Sequence, residues 1–170
     1  MTRASQVQRE IRQRRPFKSR AQEGTVGLLL TADRVRRFLA RIVEPHGITL
    51  QQYNVLRILR GAADAGLPTL DIAERMIEEA PGITRLIERL EKKRLVRRRR
   101  CPTDRRQVLC WITTEGRDLL ARLDGSMSEG DAAVMGSLGD AGVETLIRML
   151  DDVRTRLISS PGFLATKGEH

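Results

Sequence analysis

The sequence predicts a mainly α-helical fold with a small β component (α+β), because the period of its apolar residues changes within one segment. Residues 81–94 have the i, i+3, i+4, i+7 spacing of one buried helix face. The apolar positions of that face are Ile83, Leu86, Ile87 and Leu90. After Leu95 the apolar pattern alternates with a period of two, which indicates strands. The alternating positions are Val108, Cys110 and Ile112 on one side and Leu109 and Trp111 on the other.

The same segment holds most of the chain's charge. Pro102 and Asp104 are turn residues, so a hairpin tip is predicted between the two strand-like runs. Residues 80–112 contain eleven Lys or Arg and three Asp or Glu, and eleven minus three leaves +8 of the +9 carried by all 170 residues. A helix with a polar outer face fits the major groove of duplex DNA. Hairpin arginines can bind phosphates or the minor groove.

The preceding sequence predicts three more helices. Residues 25–43 carry one apolar stripe with alternating spacings of four and three. Thr49 and Gln52 form a capping-box pattern ahead of a central apolar helix. Thr69 is expected to be the N-cap of the next helix, and Pro81 the first residue of the one after it. The last two helices would together form a helix-turn-helix.

The C-terminal part, residues 114–159, predicts two helices with apolar stripes. From Thr113 onwards the chain has six Lys or Arg against ten Asp or Glu, a net charge of −4, so this end should point away from DNA. The small core of one chain cannot bury the apolar stripes of these two helices and also the apolar stripe of residues 25–43. A second copy of the chain in a two-fold dimer would bury them and would place two recognition helices one DNA turn apart.

The segments PGITRLIERLEKKRLVRRRR and PTDRRQVLCWITTEG resemble the MarR-type winged helix-turn-helix regulators. The most specific part of the resemblance is the pattern Asp-x-Arg, here Asp104 and Arg106, followed by an apolar strand and Thr-x-x-Gly, here Thr113 to Gly116. The resemblance covers roughly residues 28–157. It departs at Arg94, where the family usually has a glycine that supplies a left-handed helix C-cap.

The resemblance implies one domain over residues 24–160. Within it, a winged helix-turn-helix with a two-stranded β-wing is expected over about 48–113. N- and C-terminal dimerisation helices are expected over about 25–43 and 114–159.

The two ends of the chain are expected to lie outside this domain. Residues 1–23 carry seven Lys or Arg against two Glu and few apolar side chains. They are predicted to form a disordered basic arm, and the alternative that the arm follows DNA phosphates stays open. Residues 161–170 are predicted to be a loose tail. No apolar run approaches the roughly 20 residues that span a bilayer, and no secretory signal is present, so the expected location is cytoplasmic and without a membrane partner.

Candidate DNA contacts come from the helix and the hairpin. An arginine can read guanine with two hydrogen bonds, worth about 1–3 kcal/mol of discrimination, whereas the competing interpretation is a solvated helix face with i, i+3 and i+4 pairs. By resemblance, Arg106 is the minor-groove arginine and Asp104 orients an arginine of the wing. Strand alternation must turn one or two of the strand arginines away from the duplex. The predicted DNA-binding residues are Gly82, Thr84, Arg85, Arg89, Arg98, Arg100, Arg105 and Arg106.

The resemblance also implies a cleft for a small organic effector, between the dimer helices and the winged domain. The residues expected near this junction are Phe38, Ile42, His46, Tyr53 and Trp111. Cys101, Cys110 and the two histidines form no spaced metal set, and no catalytic or nucleotide-binding motif is present. Neither a cofactor nor an enzymatic activity is therefore expected.

The predicted function is sequence-specific DNA binding by a transcriptional regulator. The expected form is a ligand-responsive repressor that binds a palindromic promoter site as a homodimer, with double-stranded DNA and a second copy of the chain as partners. Two alternatives stay open. The basic arm favours a sequence-tolerant architectural DNA-binding protein. Arginines around Cys101 favour a thiolate and hence a thiol-redox sensor.

Overall fold

A computed structural model describes residues 5–62, 66–79, 81–104 and 106–159. Most of these residues are helical, and three short strands complete the fold, which confirms the predicted α+β class. A 3₁₀ turn, Glu44–His46, joins the second helix to the third. The elements are α1 Gln6–Glu10, α2 Arg20–Val43, α3 Leu50–Arg60, β1 Leu67–Pro68, α4 Thr69–Arg75, α5 Ile83–Lys92, β2 Val96–Arg100, β3 Val108–Ile112, α6 Thr114–Met135 and α7 Gly139–Ile158.

The three strands form one antiparallel sheet in the order β1-β3-β2. Strands β2 and β3 are the predicted hairpin, and residues 96–112 are called the wing below. Its register pairs Val96 with Ile112 and Arg98 with Cys110. Cys110 and Ile112 are buried, as the predicted alternation requires. The sequence did not reveal β1, because a strand of two residues that includes a proline carries no alternating pattern.

The chain divides into two compact units, one ending at Gly130 and the other starting at Asp131. The core of the first unit is almost wholly aliphatic and lies among α3, α4, α5, the inner side of the sheet and the first half of α6. Its completely buried side chains include Leu56, Ile72, Ile87, Leu90 and Leu120. In the second unit α7 has no buried residue.

The capping box that begins α3 is confirmed. The Gln52 backbone N–H donates to Thr49 Oγ1, and the Thr49 backbone N–H donates to Gln52 Oε1, each at 3.2 Å. At the start of α6, the Gly116 backbone N–H donates to Thr113 Oγ1 at 3.1 Å. These two caps satisfy N–H groups of the first turn that have no partner within the helix.

Two other helix starts differ from the prediction. Thr69 is the first residue of α4 and does not cap it, because Pro68 is paired in the sheet and the Thr69 hydroxyl donates to the Val108 carbonyl at 3.3 Å. Pro81 precedes α5 instead of opening it. Gly82 is the N-cap residue, and its φ of +93° turns the chain before the helix begins.

The N-terminal segment also differs from the disordered arm predicted over residues 1–23. It contains α1 and the first turn of α2, which starts five residues earlier than expected. Ser5 and Ser19 cap the two helices through their hydroxyl groups. Glu10 forms an ion pair with Arg34 of α2 at 2.8 Å. These caps and this ion pair accompany helices in residues 6–10 and from residue 20 onwards, within a segment whose composition alone indicated disorder.

Within the described ranges, no helix combines the length and apolar character needed to cross a bilayer.

Candidate nucleic-acid interface

The outer face of α5 presents the helix residues that were predicted to bind DNA. Thr84, Arg85 and Arg89 are exposed, whereas Ile87 and Leu90 on the opposite face are fully buried. The helix is therefore anchored by its apolar side while its polar side faces solvent, which is the arrangement needed to enter a groove.

Beside the N-terminus of α5 lies an open cavity of about 400 Å³. No described side chain caps this end of the helix, and nothing lies within 4 Å of the position that a Cβ of Gly82 would take. The N-cap residue Gly82 and two arginines of α5 thus border one concave surface, which also includes the acidic residue Glu79. The lining residues are Gln51, Glu79, Pro81, Gly82, Arg85, Leu86 and Arg89.

The C-terminus of α5 fixes where the wing begins. Leu95 N–H donates to the Leu90 carbonyl at 3.0 Å and Arg94 N–H to the Glu91 carbonyl at 2.8 Å, the two bonds of a Schellman motif. Arg94 occupies the left-handed position with a φ of +60°. Its carbonyl accepts a hydrogen bond from the Thr113 hydroxyl at 2.7 Å. Arginine therefore takes the conformation for which the resembled family usually has glycine.

The outer face of the sheet presents Arg97 and Arg99, both exposed. The Arg97 guanidinium lies 4.7 Å from the centre of the Trp111 ring, within the range of a cation–π contact. Gly66 lies against the same ring, because a Cβ at that position would be 2.4 Å from Trp111 Cε2. Trp111 therefore supports an arginine of the wing and packs on Gly66, the residue before β1.

Arg98 lies on the other face of the sheet and is engaged within the chain. Its guanidinium pairs with Glu91 at 2.7 Å and with Glu88 at 3.5 Å, both on α5. The hydrogen bond that Arg98 donates to the Glu91 carboxylate raises the pKa of Arg98 above its ordinary value. Arg98 thus differs from Arg100, the other predicted DNA contact of strand β2. Arg100, on the same face but nearer the tip, is exposed and has no ion-pair partner in the described ranges.

The wing tip is organised by Asp104. Its carboxylate accepts a hydrogen bond from the Arg106 backbone N–H at 3.0 Å, and its carbonyl accepts one from the Gln107 N–H at 3.0 Å. Asp104 therefore shapes the backbone that carries Arg106, an arginine of the wing. Arg106 is exposed. Arg105 lies outside the described residues.

The two cysteines of the wing are free thiols in different environments. Cys101 Sγ lies 3.2 Å from Thr103 Oγ1, and this hydrogen bond lowers the pKa of the Cys101 thiol. Burial raises the pKa of the Cys110 thiol, which packs in the core. Across the part of the chain that the structure describes, no group of three His, Cys, Asp or Glu could hold a metal ion.

The five residues predicted near an effector cleft have different surroundings. Phe38 and Ile42 of α2 both face Gly130, where a Cβ would lie 3.7 Å and 2.6 Å from their nearest atoms. His46 is exposed in the 3₁₀ turn. Tyr53 is 5% exposed and belongs to the core, while Trp111 is on the outer face of the sheet. None of the five lines the cavity beside α5 or a second one of about 260 Å³ between α1 and α2.

Sequence reasoning missed polar contacts made by residues before α5 and by residues of α5 itself. Ahead of the helix, Glu78 pairs with Arg36 of α2 and accepts a hydrogen bond from Gln51 Nε2 at 3.2 Å. Within it, Glu88 and Glu91 hold Arg98. The residues of the first group are 27 and 42 positions apart in the chain, and no periodic pattern connects them. Only folding brings them together.

Comparison with known proteins shows the family to which this fold and this helix-wing pair belong. A model of the MarR family matches residues 46–107. A Thauera aromatica protein assigned as a transcriptional regulator of the hcr operon is 31% identical over 115 residues, 68% of each chain. The homoprotocatechuate degradative operon repressor of Escherichia coli is 26% identical over 128 residues, 75% of this chain and 85% of its own.

Solved structures agree with the sequence matches. A MarR transcription factor from Planctomyces limnophilus is 37% identical with a TM-score of 0.63, covering 79% of this chain and 98% of its own. A mutant E. coli MarR in complex with operator DNA is 25% identical with a TM-score of 0.68, covering 74% and 89%. The predicted winged helix-turn-helix class and the expectation of a non-enzyme are confirmed. This chain belongs to the MarR family of transcriptional regulators.

Proposed function

We propose that the protein represses transcription by binding a palindromic promoter site as a homodimer, and that a small organic effector releases it. The observation that carries the proposal is the exposed cationic surface of α5 and the wing. The helix presents Arg85 and Arg89, the wing presents Arg100 and Arg106 at or near its tip, and Arg97 and Arg99 lie on the outer face of the sheet.

The geometry of this surface suits duplex DNA. A helix anchored by its apolar side fits a groove about 12 Å wide, where Arg85, Arg89 and Thr84 can reach base edges. Gly82 leaves the N-terminus of α5 open to a phosphate. The wing would place Arg100, Arg105 and Arg106 along the neighbouring backbone or minor groove. Asp104 would preserve the shape of the tip.

A homodimer is supported by unburied apolar residues in each of the two units. In the first unit, α2 exposes Leu28, Leu29 and Phe38, whose relative accessibilities are 41%, 66% and 38%. In the second, α7 exposes Ile147 and Leu157 at 52% and 53%. Apolar surfaces of this kind favour association, and a two-fold dimer would present two recognition helices to a palindrome. This fits dimerisation helices at 25–43 and 114–159 and a winged domain at 48–113.

An effector is supported only by kinship, since a degradative-operon repressor is among the relatives. Of the predicted cleft residues, Phe38, Ile42 and His46 are the ones at or near the surface of α2 and the turn that follows it. Tyr53 lies in the core and Trp111 on the outer face of the sheet, so these two would act on an effector cleft only through the packing of the winged domain. A cytoplasmic location goes with this proposal, because the DNA is there.

The test is DNA binding by the purified protein to its own upstream region, in a salt series with excess unrelated duplex. Arg89→Ala and Arg106→Ala should each weaken the specific complex by about 1–3 kcal/mol. Arg148→Ala, which removes the same charge from the exposed surface of α7, should change affinity less than about twofold. A footprint covering two half-sites about 10 base pairs apart is expected. Equal losses in all three variants, or binding abolished by competitor, would refute the proposal.

A second candidate function is sequence-tolerant DNA binding, and the N-terminal basic segment favours it. Arg12, Arg14, Arg15 and Lys18 are exposed and form no ion pair within the described ranges. Neutralising these four residues should reduce the salt dependence and the affinity for random duplex alike. A specificity ratio of about 10³ or more in the unaltered protein would favour the repressor.

The thiol-sensor alternative rests on the lowered pKa of Cys101 and its position in the wing. Oxidant should then release DNA from the parent protein and leave Cys101→Ser bound. Identical responses of both proteins would eliminate this alternative.

A further inference from the structure

Strand β2 carries four consecutive arginines, and the register divides them between two faces. Arg97 and Arg99 are opposite Trp111 and Leu109 on the outer face. Arg98 shares its face with Val96, which is 2% exposed, and is directly opposite Cys110, which is completely buried. The Arg98 side chain therefore begins among core residues, although it ends in a charged group. Only 25% of it is exposed.

The guanidinium of Arg98 connects the wing to α5 through three contacts. Nε donates to Glu91 Oε2 at 2.7 Å, and Nη2 approaches the same oxygen at 2.7 Å. Nη1 lies 3.5 Å from Glu88 Oε1. The two glutamates are three positions apart on one side of the helix. A planar guanidinium held by two carboxylates of one helix restrains both the position and the rotation of the strand relative to that helix.

We propose that Arg98 is a positioning residue for DNA recognition: it holds the wing at a set angle to the recognition helix and does not itself contact DNA. This inference rests on the proposed function and deepens it. The base-reading side chains of α5 and the phosphate contacts of the wing can be satisfied at once only if the two elements keep their relative orientation. Loss of the contact would therefore reduce the preference for the correct sequence more than the attraction to phosphates.

A pure charge effect and a positioning effect predict different changes in DNA binding for variants of Arg98 and Glu91. Arg98→Gln removes a positive charge, and Glu91→Gln removes a negative one. If only charge mattered, the first would weaken DNA binding and the second would strengthen it. If the contact positions the wing, both variants should lose specificity in the same direction.

The experiment compares two probes, a duplex that the parent protein selects from a random library and an unselected duplex, in a salt series. Arg98→Gln and Glu91→Gln should each lower the ratio of the two affinities at least about fivefold, the loss expected when one base contact is misaligned. The salt slope should stay within experimental error of the parent. The exchange of both partners, Arg98→Glu with Glu91→Arg, should restore most of the ratio.

Arg100→Gln is the matched control, since Arg100 is two positions along the same face, exposed and without an ion-pair partner in the described ranges. It should weaken binding to both duplexes equally and lower the salt slope by about one per protomer. Arg98→Gln behaving like Arg100→Gln, or Glu91→Gln binding more tightly with an unchanged ratio, would overturn the inference. A parent ratio near one would instead refute the proposed function, and this result is read from the parent protein alone.

Discussion

Replacing Arg94 with glycine should stabilise the protein. Arg94 has a φ of +60° at the end of α5, a conformation that costs an L-residue roughly 1–2 kcal/mol. Glycine adopts it without strain but loses about 0.5–1 kcal/mol more backbone entropy on folding. The Arg94 side chain is exposed and forms no hydrogen bond or ion pair in the described ranges, so the substitution removes no polar interaction of that side chain. The expected net gain is about 0.5–1 kcal/mol of unfolding free energy.

Urea unfolding at a fixed protein concentration measures this gain, because the stability of the proposed dimer would depend on concentration. The melting temperature should rise by about 1–4 °C for a chain of this length. Arg94→Ala is the control, since it removes the same side chain and keeps the Cβ and its strain. It should stay within about 0.5 kcal/mol of the parent. If Arg94→Gly were no more stable than Arg94→Ala, backbone strain at this position could not be the explanation.

Three further predictions concern the core and one surface pair. Leu56→Ala should cost about 2–5 kcal/mol of unfolding free energy in urea, because Leu56 is completely buried. Gly66→Ala should destabilise by about 1–3 kcal/mol and shift the emission of Trp111, the single tryptophan, because the new Cβ would meet its ring and φ is +75°. Asp124→Asn should cost less than about 1 kcal/mol at pH 7, because the pair with Arg60 is exposed.

Asp124→Asn should also change how the unfolding free energy depends on pH. A hydrogen bond from Arg60 holds the pKa of Asp124 below its ordinary value. The stabilisation is therefore present at neutral pH and is lost as the pH falls below about 4, through the folded pKa. Parallel curves of unfolding free energy against pH, from pH 7 to pH 3, for the parent and Asp124→Asn would contradict this.

An unchanged Trp111 emission spectrum in Gly66→Ala, or a loss of less than about 1 kcal/mol of unfolding free energy in Leu56→Ala, would contradict the packing described around those residues.

The local sequence pattern was sufficient to predict the structure of segments whose conformation depends on their own residues. The apolar period of residues 83–90, the capping box at Thr49 and the alternation of β3 were each predicted correctly. Local pattern was insufficient where a distant contact competes. Thr69 resembles an N-cap, but its hydroxyl is taken by strand β3. In the N-terminal segment, which is polar by composition, Glu10 pairs with Arg34, and two serines cap helices.

The sequence by itself determined the class of fold, the face of α5 that is buried and the concentration of positive charge in residues 80–112, because periodicity and composition are properties of short segments. Tertiary structure decided which of those charges are free. Arg98 and Arg100 are indistinguishable in a run of four arginines, yet one is held by Glu91 and Glu88 while the other is exposed. The difference arises because strand register and helix packing determine the position of each guanidinium group. Neither of them can be predicted from a local sequence pattern.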